Sequence, residues 1–181
     1  IDLIYGVPGL SVTEWEKNIE IAISLLVNHL SCYALTVEPQ TPLEKLIRTA
    51  QKETTDPDLQ AQHFAILVEC LEKAGFLHYE ISNFALPGNY AVHNTNYWKG
   101  EHYLGIGPSA HSFNGISRQW NVANNQQYIH GYRTKSPVYE KENLTVENLL
   151  NEYIMTSLRT MWGCDLIKVS DHFGNKFSVE L

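Results

Sequence analysis

Cysteine is scarce: 181 residues carry three, Cys32, Cys70 and Cys164. Their wide, odd-numbered spacing offers neither a disulfide framework nor a metal-binding Cys-x-x-Cys pair, which predicts a reducing, cytoplasmic setting. Positive charge is also sparse, with 13 Lys and Arg against 20 Asp and Glu and a net charge of −7. No basic cluster offsets that balance. A nucleic-acid partner is therefore not expected, since phosphate binding needs a concentrated positive face. Apolar runs stay far short of the roughly 18 residues of a membrane-spanning helix, so no transmembrane segment is expected. No leader-peptide pattern is visible either. Repeats and low-complexity segments are lacking too.

What is there suits a folded core: 44% hydrophobic and 18% charged residues over a length of one large domain or one and a half small ones. The chain opens on Ile1-Asp2-Leu3-Ile4-Tyr5, a strand with no start methionine before it. It closes on Phe177-Ser178-Val179-Glu180-Leu181, inside another periodic segment. Both ends read as cut, which predicts a fragment.

After the first strand, Gly6-Val7-Pro8-Gly9 is a turn, and Ser11 with Glu14 forms a capping box. The helix that follows places Trp15, Ile19, Ala22, Ile23 and Leu26 on one face and ends at Asn28-His29. Leu30–Val37 reads as a second strand, buried on both faces. A rigid loop and a short helix precede Asp56-Pro57, an N-cap and first-turn proline that open a long helix with Phe64, Leu67, Val68 and Leu71 inward. Gly75 stops it, and Phe76–Ile81 is the third strand. The alternation predicts an α/β fold whose strands over residues 1–85 lie side by side and parallel. Ligands of such folds sit at the carboxyl ends of strands, which favours Glu80 and the loop from Ser82. Asp2, near the start of its strand, is equally well explained as a sheet-end or capping carboxylate.

Asn114-Gly115 between alternating segments predicts a hairpin, and residues 124–132 a short helix. A polar connector then leads to Thr145, the cap of a helix with Leu149, Tyr153, Ile154, Leu158 and Met161 on one side. A second helix spans Leu166–Phe173. The connector predicts a domain boundary near residue 140, with units 1–140 and 141–181.

The densest chemistry lies between. His93-Asn94-Thr95-Asn96-Tyr97-Trp98-Lys99-Gly100 is followed by Tyr103-Leu104-Gly105-Ile106-Gly107 and Ala110-His111. A flat aromatic wall beside imidazoles suits a planar, metal-bearing ligand, because neutral imidazole is a common axial ligand of haem iron. Aromatics flanked by Asn and Gly also make well-packed turns, and that reading stands beside the first. Gly105-x-Gly107-x-x-Ala110 superficially fits a dinucleotide fingerprint, but it leads into a hairpin and not into a helix N-terminus.

In chain order, Asp2-Leu3-Ile4-Tyr5-Gly6-x-Pro8-Gly9, His29-Leu30-Ser31-x-Tyr33-x-Leu35, Tyr79-Glu80-Ile81-Ser82-Asn83-Phe84-Ala85 and Tyr103-Leu104-Gly105-Ile106-Gly107 together resemble the oxygen-independent coproporphyrinogen III oxidase family of radical S-adenosylmethionine proteins. His93-Asn94-x-x-Tyr97-Trp98 is similar to the haem chaperone branch of that family. The resemblance implies the carboxyl-terminal part of a (β/α) barrel followed by the start of a small helical domain. It implies haem or a porphyrin as ligand and a haem-acceptor protein as a partner. The alternative is a coproporphyrinogen oxidase acting by radical chemistry.

By resemblance, Asp2 and Ile4 contact S-adenosylmethionine, with Ala110 near it. His93 is the haem-iron contact, with Tyr97 and Trp98 as supporting wall, and His111 is a weaker second candidate. The Cys-x-x-x-Cys-x-x-Cys triad that would hold a four-iron, four-sulfur cluster is absent. The expectation is that the cluster ligands lie in an amino-terminal half and that the fragment alone performs no radical chemistry.

Overall fold

The computed structural model describes residues 1–174, so the periodic segment 177–181 lies outside the described residues. The chain forms two compact units, Ile1–Ala91 and Val92–Leu181.

In the first unit, β1 (Asp2–Tyr5) and β2 (His29–Ala34) pair in parallel, joined by α1 (Val12–Ser24). Ser11 caps α1, its hydroxyl accepting from Glu14 N–H while the Glu14 carboxylate accepts from Ser11 N–H. The helix ends sooner than its apolar stripe suggests. Leu26 takes a left-handed backbone (φ 55) and stands 87% exposed, so it does not join Trp15, Ile19 and Ala22 inside. A short helix, α2 (Pro42–Arg48), is capped by Thr41. The long helix α3 (Pro57–Lys73) is capped by Asp56 and stopped at Gly75 (φ 86), as its sequence predicts.

The remaining strands, β3 (Leu77–Glu80) and β4 (Asn83–Ala85), complete a sheet of order β1-β2-β4-β3. Here the parallel expectation fails in part, because β4 runs antiparallel to both neighbours. The two-residue turn Ile81-Ser82 folds the chain straight back, inserting β4 between β2 and β3. Three residues are too few to show a period, so the sequence reads β4 as loop.

Strand alternation sends Leu3, Tyr5, Leu30, Cys32 and Phe84 to one face, where they pack on Trp15, Ile19, Leu67 and Leu71 of the helices. Trp15 lies fully inside and donates its indole N–H to the His63 carbonyl at 2.9 Å. The other face carries Asp2, Ile4, Ser31 and Tyr33, which pair across β1 and β2. Ile4 is 52% and Tyr33 41% exposed there, so β2 is not buried on both faces along its length.

The second unit holds α4 (Val92–Lys99), an antiparallel sheet of β5 (His111–Phe113), β6 (Ser117–Asn121) and β7 (Tyr139–Asn143), and the helices α5 (Asn125–Arg133), α6 (Val146–Ser157) and α7 (Leu166–Phe173). The Asn114-Gly115 hairpin forms, with Gly115 at φ 90 and the Asn114 side-chain oxygen accepting from the N–H groups of Ile116 and Ser117. The polar stretch around residue 140, expected as a connector, is instead β7, paired along its length with β6. Its charged side chains hide the strand signal, because edge strands are often charged on purpose. α6 closes at Ser157, so Leu158 and Met161 are 70% and 47% exposed, and the residues it buries are Leu150 and Ser157.

Candidate functional site

Within the second unit, α4 gathers the histidine and aromatics that the sequence singles out. His93 and Tyr97 lie one turn apart and so share a face. Both are exposed, and their rings meet edge-on at 5.0 Å with an interplanar angle of 89°. Trp98 points elsewhere, since five residues along a helix carry it about 140° round the axis. The Arg159 guanidinium lies over the Trp98 ring, 4.8 Å from its centroid. Gly100 (φ 72) ends the helix by reaching a conformation that a side chain would strain.

Tyr97 opens onto a cleft of about 600 Å³ within this unit. The aromatic series continues through Tyr103, whose ring is 4.8 Å from that of Tyr97, to Phe113 at 6.1 Å. Tyr153 and Phe173, with ring centroids 6.0 Å apart, also line it. Three permanent cations line the same space. Arg118 is bound to Glu152 through two hydrogen bonds of 3.1 and 2.7 Å. Lys99 lies 5.7 Å from the Trp162 ring centroid, and Lys168 lies 4.8 Å from that of Tyr153. Among the described lining residues Glu152 is the one carboxylate, and Glu142 also lies 3.8 Å from Arg118, which leaves Lys99 and Lys168 as the cations without a described carboxylate partner. His93 is outside this lining.

Sequence reasoning found Tyr97, Trp98 and Tyr103 and noted Arg118 as a nearby arginine, but missed Glu152, Tyr153 and Lys168 as members of one site. With Arg118 these come from β6, α6 and α7, separated by dozens of residues, and no local motif joins them. The signal that was present is Tyr153 on the inward face of its helix.

The other candidate positions are distributed over both units. In the first, Asp2 is exposed and shares with Ile4 the sheet face opposite α1 and α3. Nearby on that sheet, His29 Nε2 and the Tyr79 hydroxyl are 2.7 Å apart, and burial holds the His29 imidazole below its usual pKa. Glu80, favoured by its place at a strand end, is buried and accepts from Ser82 N–H and from the Asn83 amide, so it holds the β3–β4 turn. In the second unit, Ala110 is half-buried in a loop, its N–H donating to the Gly107 carbonyl. His111 is exposed and stacks on Trp120 across the β5–β6 pair at 5.9 Å. Gly105 leads to a hairpin and packs on the His111 backbone so closely that a Cβ has no room.

The thiols are free. Cys32 is enclosed in the core of the first unit, where burial pushes its pKa up to about 12. Among the described residues no group of three or more His, Cys, Asp or Glu could hold a metal ion, so these residues do not fit an iron–sulfur cluster. Nor is any described helix long and apolar enough to cross a membrane.

No family model matches the chain. It is 34% identical over 170 residues to "Heme chaperone HemW" of Mycobacterium tuberculosis, an alignment covering 93% of this chain and 44% of that protein. The protein of the same name in Bacillus subtilis is 32% identical over 175 residues, covering 96% of this chain and 46% of the relative. "Radical S-adenosyl methionine domain-containing protein 1, mitochondrial" of Danio rerio is 35% identical over 111 residues, covering 61% of this chain and 25% of that one. The chain thus spans less than half the length of these relatives. Among solved structures, the coproporphyrinogen III oxidase HemN of Escherichia coli, titled a radical SAM enzyme, superposes with a TM-score of 0.80 over 99% of this chain and 44% of its own. At 18% identity that likeness shows the fold.

Proposed function

The chain belongs to the radical S-adenosylmethionine family, in its HemW-like branch, and from that premise we propose that it carries the haem-holding part of a haem chaperone. The observation that supports this most is the exposed His93 imidazole set edge-on against Tyr97 on α4. An exposed imidazole is free to offer a nitrogen lone pair to ferric or ferrous iron. Tyr97 restrains the ring's orientation, and Trp98 with Arg159 fixes the opposite side of the helix. Haem is here a cargo, held until an acceptor protein takes it, which favours one accessible axial ligand over a sealed site.

The proposal extends to the first unit. S-adenosylmethionine lies against the sheet face opposite α1 and α3, with the Asp2 carboxylate accepting from its hydroxyl or amino groups and Ile4 packing beside it. Ala110 is assigned to the same cofactor on sequence resemblance alone. The cluster ligands belong to the part of the relatives that this chain does not span. The working compartment is the cytoplasm, which suits three unpaired thiols. Beyond motifs shared across that family, the oxidase alternative draws on a fold likeness at 18% identity, which carries no activity.

The test is a ferric haem titration of the chain followed by its Soret absorbance. His93→Ala is expected to shift the band and weaken binding by about tenfold or more, corresponding to roughly 1.4 kcal/mol. His111→Ala, on the far hairpin, is expected to change neither. An unaltered band and affinity in His93→Ala would overturn the assignment.

A further inference from the structure

The aromatic cleft beside α4 is not needed for iron ligation, because His93 does not line it. Its composition nevertheless specifies a ligand. Tyr103, Phe113, Tyr153 and Phe173 line it with flat apolar rings, the first two paired at 6.1 Å and the last two at 6.0 Å. Lys99 and Lys168 sit over aromatic faces and lack a carboxylate within salt-bridge distance among the described ion pairs. Arg118 is held by Glu152 and lies 3.8 Å from the Glu142 carboxylate as well, so an incoming carboxylate would have to displace Glu152 at the planar guanidinium. A volume of about 600 Å³ falls within the range of sites for rigid molecules of a few hundred daltons.

We propose that this cleft binds the organic macrocycle of a tetrapyrrole, with the ring between the aromatic walls and its carboxylates on Lys99, Lys168 and Arg118. The ligand choice rests on the haem reading, but the binding requires no iron. Tyr97 is the wall shared between the cleft and the His93 face, since its ring contacts both His93 and Tyr103. The cleft therefore recognises the macrocycle as a planar dianion, independently of any metal contact at His93. Positive charge concentrated at one aromatic cleft of a chain with net charge −7 is the complementarity that such a dianion requires.

Iron-free protoporphyrin IX is the probe, titrated into the full chain and followed by its own fluorescence, alongside ferric haem followed by absorbance. Saturable one-site binding of protoporphyrin is expected, weakened about tenfold or more in Lys168→Glu. Lys168 is the third residue of α7 after the Asp165 cap, where a glutamate suits the helix terminus, so this variant keeps its fold. Thr156→Trp, which fills the cleft from α6, is expected to abolish the signal, with circular dichroism confirming that the helices remain. His93→Ala is expected to retain protoporphyrin binding while losing the haem band.

Haem binding through His93 with no saturable protoporphyrin binding would overturn the cleft proposal and leave the haem reading standing. Saturable protoporphyrin binding unaffected by both cleft variants would overturn it as well. Protoporphyrin binding that responds to the cleft variants, with a haem band indifferent to His93→Ala, would support the cleft and defeat the His93 assignment.

Discussion

The two units differ in how many large aromatic side chains they enclose, although Tyr33 of the first is also 41% exposed. In the first, Trp15, Tyr79 and Phe84 are fully enclosed, and ten buried residues make one continuous core. In the second, Leu150 and Val169 are the fully apolar buried residues among those described, while Tyr97, Tyr132, Tyr139 and Trp162 remain at least 40% exposed. Burying a large side chain contributes about 1.5–3 kcal/mol, so the first unit draws stability from its rings and the second forgoes it. Of these exposed rings Tyr97 lines the positively charged cleft, where a bound ligand would bury it. On the reading proposed above, the first unit supplies the packed framework and the cofactor face, and the second the haem contact.

The sharpest way to test this contrast is to truncate one leucine in each unit. Leu67→Ala removes a fully buried side chain from the first core and is expected to cost about 2–5 kcal/mol in denaturant unfolding. Leu158→Ala removes one that is 70% exposed in the second unit, and a change within about 0.5 kcal/mol is expected. Equal losses would show that the second unit has a core of its own kind.

Acid should also single out the first unit. His63 is fully buried, its Nδ1 accepts from Gly6 N–H at 3.2 Å, and burial holds its pKa below the usual value. Below about pH 6.5 the unfolded chain takes up a proton that folded His63 resists, so stability falls as pH falls. The slope from this group is at most about 1.4 kcal/mol per pH unit. His63→Asn is expected to flatten the curve without levelling it, since His29 is also held down by burial. An unchanged slope between pH 5 and 6.5 would remove His63 from the account.

A smaller effect is expected to be the same in both units. Ser11 and Thr145 each close a capping box, so Ser11→Ala and Thr145→Ala should each cost about 1 kcal/mol in thermal or denaturant unfolding. Cys32 supplies a local reporter of the first unit. With its thiol pushed up to about 12 and enclosed in the core, it should resist iodoacetamide until that core opens. Rapid labelling of Cys32 in the native chain would contradict the framework role.

Much of the fold could be read from local signals, and the failures share a cause. Capping residues and helix-stopping glycines are short-range chemistry, so Ser11, Asp56, Gly75, Thr145 and the Asn114-Gly115 turn were all legible. Strands β4 and β7 were not, because β4 is three residues long and β7 is charged and exposed along its edge. Their identity comes from pairing partners distant in sequence. The site divides the same way. His93 and Tyr97 are one helical turn apart and could be found, whereas Arg118, Glu152 and Lys168 meet only through the packing of β6, α6 and α7.

Hydrogen exchange of the full chain with and without ferric haem tests the division of labour most directly. Slowed exchange in peptides covering Val92–Lys99, with β1 and β2 unaffected, is the predicted result. Protection of β1 and β2 with no change over Val92–Lys99 would place the ligand on the first unit and contradict the account.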